Sequence, residues 1–128
     1  MSNIFLNRFG REQVSASSGN VAAAVATATL PAVAGRINFL MGFEITGGGA
    51  TLASLVVATV TGVIGGTQSY IVAPVAGVLL GNAPLLVEFA NPLEATGVNV
   101  AIVVSCPSLG AGNTNSAVCA HGHTIVSQ

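Results

Sequence analysis

A chain of 128 residues can build one domain with a real core, but only 3 of its residues are Lys or Arg and 4 are Asp or Glu, for a net charge of -1. Arg8, Arg11 and Arg36 are the only cations, and one Tyr and five Phe are scattered along the chain, so neither the basic cluster nor the stacking platform that nucleic acid requires is present. A folded monomer of this size exposes about 6,200 Å², which so few charges solvate poorly; the surface is either coated by Thr and Ser or covered by other protein, and the second is the expectation.

Residues 1–19, MSNIFLNRFGREQVSASSG, differ in composition from the rest of the chain: three of the seven charges lie here, and the segment ends in a Ser/Gly-rich hinge. It reads as an N-terminal extended arm, with room for a short helical turn. Ile4, Phe5, Leu6 and Phe9 give it an apolar anchor, so it is expected to pack on something. The stretch VAAAVATATLPAVAG at 21–35 mimics a signal peptide, but it is poor in Leu and its leading region contains Glu12, so it is read as mature sequence.

From residue 20 to residue 128 the pattern is β. NVAAAVATATLP alternates, with Val21, Ala23, Val25, Thr27 and Thr29 on one face. GRINFLMGFEIT predicts the clearest strand: Ile37, Phe39, Met41, Phe43 and Ile45 share one face, with Leu40 the exception on the other. Glycines 47–49 then permit a reversal. ATLASLVVATVTGVI is apolar on both faces, as in a central strand covered on both sides or one with an exposed apolar face. TQSYIVAPV comes after a Gly-Gly turn, and GVLLGNAP reads as a loop. LLVEFANP is a short strand stopped by Asn91-Pro92, GVNVAIVVSCP a longer one stopped by Pro107, and AVCAHGHTIV the last.

No charge lies between Glu44 and Glu88, yet turn signals break that run before it reaches the roughly 20 apolar residues of a spanning helix. The expected fold is all-β: a jelly-roll-like sandwich of seven or eight antiparallel strands, with an immunoglobulin-like sandwich as the alternative. Cys106 and Cys119 match no zinc or redox spacing and are read as free thiols.

One constellation could carry chemistry. Cys119, His121 and His123 stand at i, i+2 and i+4, on one face of a strand. Together they span about 13 Å, too far for a single ion without help from a neighbouring strand. An HxH pair in a jelly roll is similar to the cupin metal site, but that pattern continues with a downstream carboxylate, and only TIVSQ comes after it here. The histidines are therefore read as contact residues. The four Glu are widely separated, no Asp orients a His, and the glycine runs lack the Lys of a phosphate loop. No catalytic residue, metal or cofactor is assigned, and the chain is not read as an enzyme.

The succession GRINFLMGFEITGGGATLASLVVATVTGVIGGTQSYIVAPVAGV, then PLLVEF and NVAIVVSCPSLGAGNTNSAVCAHG, resembles small structural proteins of tailed bacteriophages. Among these are the jelly-roll decoration (cement) proteins that coat a capsid lattice. The resemblance implies a virion protein, assembled in the host cytoplasm and placed on the capsid surface. Its partners are the major capsid protein and further copies of itself, as a homodimer or homotrimer, with neither nucleic acid nor membrane involved. Tail, spike or adaptor proteins of the virion share this texture, and a cupin-like metal-binding protein is the more distant alternative. The partner contacts expected are Ile4, Phe5, Leu6, Arg8, Phe9, Arg11, His121 and His123. Deleting residues 2–12 is predicted to abolish particle binding while the β-core stays folded; co-sedimentation with particles checks this, and normal decoration by the truncated chain contradicts it.

Overall fold

The computed structural model of the chain describes residues 11–77 and 84–127. Among these are ten strands and no helix: β1 (Arg11–Ser17), β2 (Ala26–Leu30), β3 (Arg36–Gly48), β4 (Leu52–Ala53), β5 (Val56–Thr61), β6 (Gln68–Val72), β7 (Leu85–Glu94), β8 (Ile102–Cys106), β9 (Gly110–Ala111) and β10 (Asn115–Val126). Among the described residues no helix is long and apolar enough to cross a membrane, which says nothing of a barrel of strands. Ile4, Phe5, Leu6, Arg8 and Phe9 lie outside the described residues, as does most of the loop predicted at GVLLGNAP.

Eight of the strands form two four-stranded antiparallel sheets. Sheet A has the order β1-β10-β3-β7 and sheet B the order β2-β8-β5-β6; β4 and β9 make a small separate pair. The chain runs as a folded ribbon: β1 lies beside β10, β2 beside β8, β3 beside β7 and β5 beside β6. Among the described strands, only β5 and β6 are a simple hairpin within one sheet, closed by Gly65 and Gly66, whose φ of 98° and 91° suit glycine alone.

The alternation of each strand explains the core. β2 turns Ala26, Ala28 and Leu30 inward and leaves Thr27 and Thr29 outside. β8 contributes Ile102, Val104 and Cys106, and β5 contributes Ala58 and Val60. From sheet A, Phe43, Ile45, Val118 and Ala120 meet them. Phe43 is fully buried and links the sheets: its ring stands edge-on to Tyr70 of sheet B, with centroids 5.1 Å apart, and lies 6.3 Å from Phe89 of sheet A. Burial of such a side chain is worth about 1.5–3 kcal/mol.

Two buried asparagines fasten the loops to this core. Asn38 donates from its side-chain amide to the carbonyls of Pro31 (2.9 Å) and Val100 (3.0 Å), tying β3 to the segments before it and before β8. Asn113 donates to the carbonyls of Gly48 (2.9 Å) and Asn115 (2.8 Å) and accepts from the Leu109 amide (3.3 Å).

Four sequence expectations change. Residues 11–17, assigned with the arm, form β1 at the edge of sheet A, paired with β10 from Arg11↔Ile125 to Ser17↔Cys119. The strand beginning LLVEF does not stop at Asn91-Pro92: β7 continues to Glu94. It can do so because it is an edge strand and its register is irregular there, so the missing Pro92 amide leaves no gap in a central ladder. The apolar stretch at 50–64 splits into β4 and β5, with Leu52, Leu55, Val57 and Ile64 exposed.

The fourth change concerns β3. Its five apolar residues at odd positions do not share a face. Gly42 pairs with His121 and Leu40 with Gly122, so Met41 is an extra residue in β3, a β-bulge. Past the bulge the alternation inverts: Phe43 and Ile45 are in the core on one side of it and Leu40 on the other, while Met41 is exposed. Phe39 instead stacks on a ring of β10. Leu40, the exception to the period-two pattern, marks the inversion.

The two backbones approach closely at the bulge. A Cβ on Gly122 would overlap the carbonyl oxygen of Phe39. Gly122→Ala is expected to destabilise the chain by about 1–3 kcal/mol in urea unfolding. Gly97→Ala, whose Cβ would meet nothing nearer than Val100 at 4.0 Å, is expected to change stability by less than about 0.5 kcal/mol. Equal effects would show that the close approach is not what requires glycine.

Candidate functional site

The outer face of sheet A carries Arg11, Glu44, Glu88, Glu94, Cys119, His121 and His123. Cys119, His121 and His123 do alternate outward along β10, as their spacing predicts, but each meets different neighbours. Cys119 lies opposite Ser17 and Glu44, and its thiol donates to the Ser17 hydroxyl at 3.6 Å. His121 lies opposite Ser15 and Gly42, and His123 opposite Gln13 and Phe39. The three are not one ligand set.

His123 is nearly enclosed, 7% exposed. Its ring stacks on Phe39 at 5.0 Å with an interplanar angle of 15°. On its other flank the Arg11 guanidinium lies 3.5 Å from Nδ1. A guanidinium can only donate, so Nδ1 accepts and the neutral ring carries its proton on Nε2. Burial, and secondarily the Arg11 charge, hold the imidazole below its ordinary value of 6.5. Arg11 and His123, both expected to contact a partner, thus contact each other.

His121 is built differently. Its ring is seated over Gly42, the residue opposite it on β3: a Cβ there would lie 3.0 Å from Nε2 and 2.6 Å from the Val87 carbonyl oxygen. Glycine in the centre of a sheet thus makes room for the imidazole, and the aromatic ring covers the backbone that glycine leaves bare. Gly42 also pairs with Glu88 on β7, so His121, Gly42 and Glu88 form one row across three strands. Glu44 is two residues along β3 on the same face. Its Oε1 lies 3.7 Å from His121 Nδ1, and Glu88 Oε1 lies 3.5 Å from Nε2. One ligand-type atom from each of the three residues falls within 4.8 Å of the others.

A cupin-like pattern places its carboxylate downstream of the histidines; here the carboxylates stand on neighbouring strands. The signal for them in the sequence is weak but real. FEI and VEF each place one Glu between apolar residues of a strand, hence on its solvent side. What brings them to His121 is the register of β3 with both β10 and β7, which no local pattern encodes.

The thiols are apart as well. Cys106 is in the core, where burial raises its pKa, and Cys119 is on the outer face; both are free. A further ion pair of the sheet joins Arg36 and Glu12 at 3.6 Å.

No protein-family model and no curated protein matches this chain.

The enclosed neutral His123 makes acid destabilising. The unfolded ring takes up a proton near 6.5 while the folded ring resists it. Its contribution to stability is therefore complete above that pH and declines as the pH falls through the window below it. In chelator-treated protein, the loss of thermal stability between pH 7 and pH 5 is expected to be smaller for His123→Phe, which keeps the stack on Phe39, than for the unaltered chain. Parallel pH profiles would contradict this.

Proposed function

We propose that this chain is a structural virion protein, a capsid decoration (cement) protein of a tailed bacteriophage. It would bind between subunits of the major capsid protein as a homodimer or homotrimer and stabilise the head. The observation that carries the reading is the segregation of charge between the two sheets. Every described Arg, Glu and His lies on a strand of sheet A: Arg11 and Glu12 on β1, Arg36 and Glu44 on β3, Glu88 and Glu94 on β7, His121 and His123 on β10. Sheet B carries none of these.

The outer face of sheet B is made of Thr27 and Thr29 on β2, Val103 and Ser105 on β8, Val57, Thr59 and Thr61 on β5, and Ser69 and Ile71 on β6. Val57 and Ile71 are directly opposite one another and are 44% and 64% exposed. Such a surface can be buried against another protein without stripping water from any charge, the largest desolvation cost of association. Its Thr and Ser hydroxyls can still hydrogen-bond across the contact. This is the surface a lattice-bound protein needs.

The strand order supports the same reading. A ribbon folded so that first lies beside last, second beside second-last and so inward, in sheets β1-β10-β3-β7 and β2-β8-β5-β6, agrees with the wrapping of a jelly roll. Sheet A then faces solvent with the charges, and sheet B faces the shell. The expected arm precedes β1, an edge strand of sheet A. Since Arg11 and Glu12 belong to β1, a deletion that tests the arm alone ends at residue 10.

Ile71→Glu and Thr59→Glu place a carboxylate on the neutral face, the first at an exposed edge position and the second at a half-exposed central one. Both variants are expected to fold, by circular dichroism, and to lose particle binding by at least about tenfold. Glu94→Gln, on sheet A, is expected to leave binding intact. Undiminished decoration by both Glu variants, or six or twelve copies in purified particles instead of hundreds, overturns the reading.

A further inference from the structure

We propose that Glu44, Glu88 and His121 form a site for one late first-row divalent cation, with Zn²⁺ as its best occupant, on the outer face of sheet A. The site is independent of the decoration reading and uses the opposite face of the molecule. Three observations carry it.

The first is donor chemistry. One imidazole nitrogen and two carboxylate oxygens are the mixed set that zinc accepts. The imidazole disfavours Mg²⁺ and Ca²⁺, which take oxygen ligands. Two carboxylates also match the charge of a divalent ion. Glu12 pairs with Arg36, but the ion pairs of Glu44 and Glu88 are both to His121.

The second is geometry. Ligand atoms about 2.0–2.2 Å from a tetrahedral zinc lie roughly 3.3–3.5 Å from one another. His121 offers one nitrogen to an ion; with Nδ1 as that ligand, its separation of 3.7 Å from Glu44 Oε1 is already near that spacing, while the 3.5 Å contact of Glu88 is to Nε2. The spread of the whole set, within 4.8 Å, closes by rotation of Glu88, whose side chain is 77% exposed and unconstrained by packing.

The third is preorganisation. The ligands come from β10, β3 and β7, three adjacent strands of one sheet, and Gly42 leaves a bed in which the His121 ring is seated. A bound ion would clip these strands from outside. Three protein ligands also leave a coordination position open for water.

The test is titration of the chelator-treated chain with Zn²⁺ alone against a chromophoric competitor, in a Cys119→Ser background so that the exposed thiol contributes nothing. One ion per chain is expected, with micromolar or tighter affinity and a rise in melting temperature. His121→Ala, Glu44→Gln and Glu88→Gln should each weaken binding by at least about tenfold, and His123→Ala should not. Glu88 is exposed enough that its amide variant folds, so the test stands even if His121→Ala does not. Affinity weaker than about 1 mM, binding that survives Glu88→Gln, or binding lost with His123→Ala would each overturn the proposal.

Discussion

The extra residue at Met41 governs how this molecule presents itself. A regular β3 would have kept Phe39, Met41, Phe43 and Ile45 on one side of sheet A and left Leu40 outside. With the bulge, Leu40 and Phe43 both reach the core, and Phe39 is released to the outer face. Released, it becomes the platform on which His123 stacks. Next to the bulge, Gly42 sets the bed for His121 and brings Glu88 into its row. The two histidines are thus equivalent in the sequence and opposite in environment: one is sealed between a ring and a guanidinium, the other is open between two carboxylates. A single backbone irregularity divides an HxH pair into an enclosed packing residue and an accessible polar cluster.

The scarcity of charge acquires meaning once the sheets are separated. Spread evenly, the described Arg and Glu residues would make a weakly polar surface everywhere. Confined to β1, β3 and β7, they make one sheet wettable and leave the outer face of the other with hydroxyls and β-branched side chains. The interior differs in the same direction. Two of its buried polar side chains, Asn38 and Asn113, hold loops by hydrogen bonds that need no ion. The fold is therefore stabilised by apolar burial and backbone pairing, and charge is free to specify a face.

Legibility in the sequence tracks the range of the interactions. The all-β class, the alternation of β2, and the extents of β3 and β10 rest on neighbours two residues apart and are readable. Leu40 breaks the pattern visibly, but a break shows only that something interrupts a strand, not that the facing inverts. Pro92 reads as a stop because the edge position of β7, which tolerates it, depends on the whole sheet. Arg11–Ser17 reads as arm because its polar-apolar alternation is that of a half-exposed strand with no hint of its partner. The cluster of Glu44, Glu88 and His121 is the least legible, since it depends on two registers at once, with residues drawn from three strands widely separated along the chain.

The folded ribbon also has a temporal consequence. The hydroxyl of Ser18 accepts from the Val118 amide 100 positions away, and Thr27 meets Ser105 across 78. Nearly every pairing except the β5–β6 hairpin joins distant parts of the chain, so loop-closure entropy opposes most of the structure until late, and folding belongs to the slow class, on the order of milliseconds to seconds. During synthesis β10, which lies inside sheet A between β1 and β3, is the last of these strands to leave the ribosome. Until then β1 and β3 lack the neighbour that joins them, and the neutral strands of sheet B wait with open edges and no charge to repel a second nascent chain. A high local concentration of copies is at that moment the chief hazard to the individual molecule.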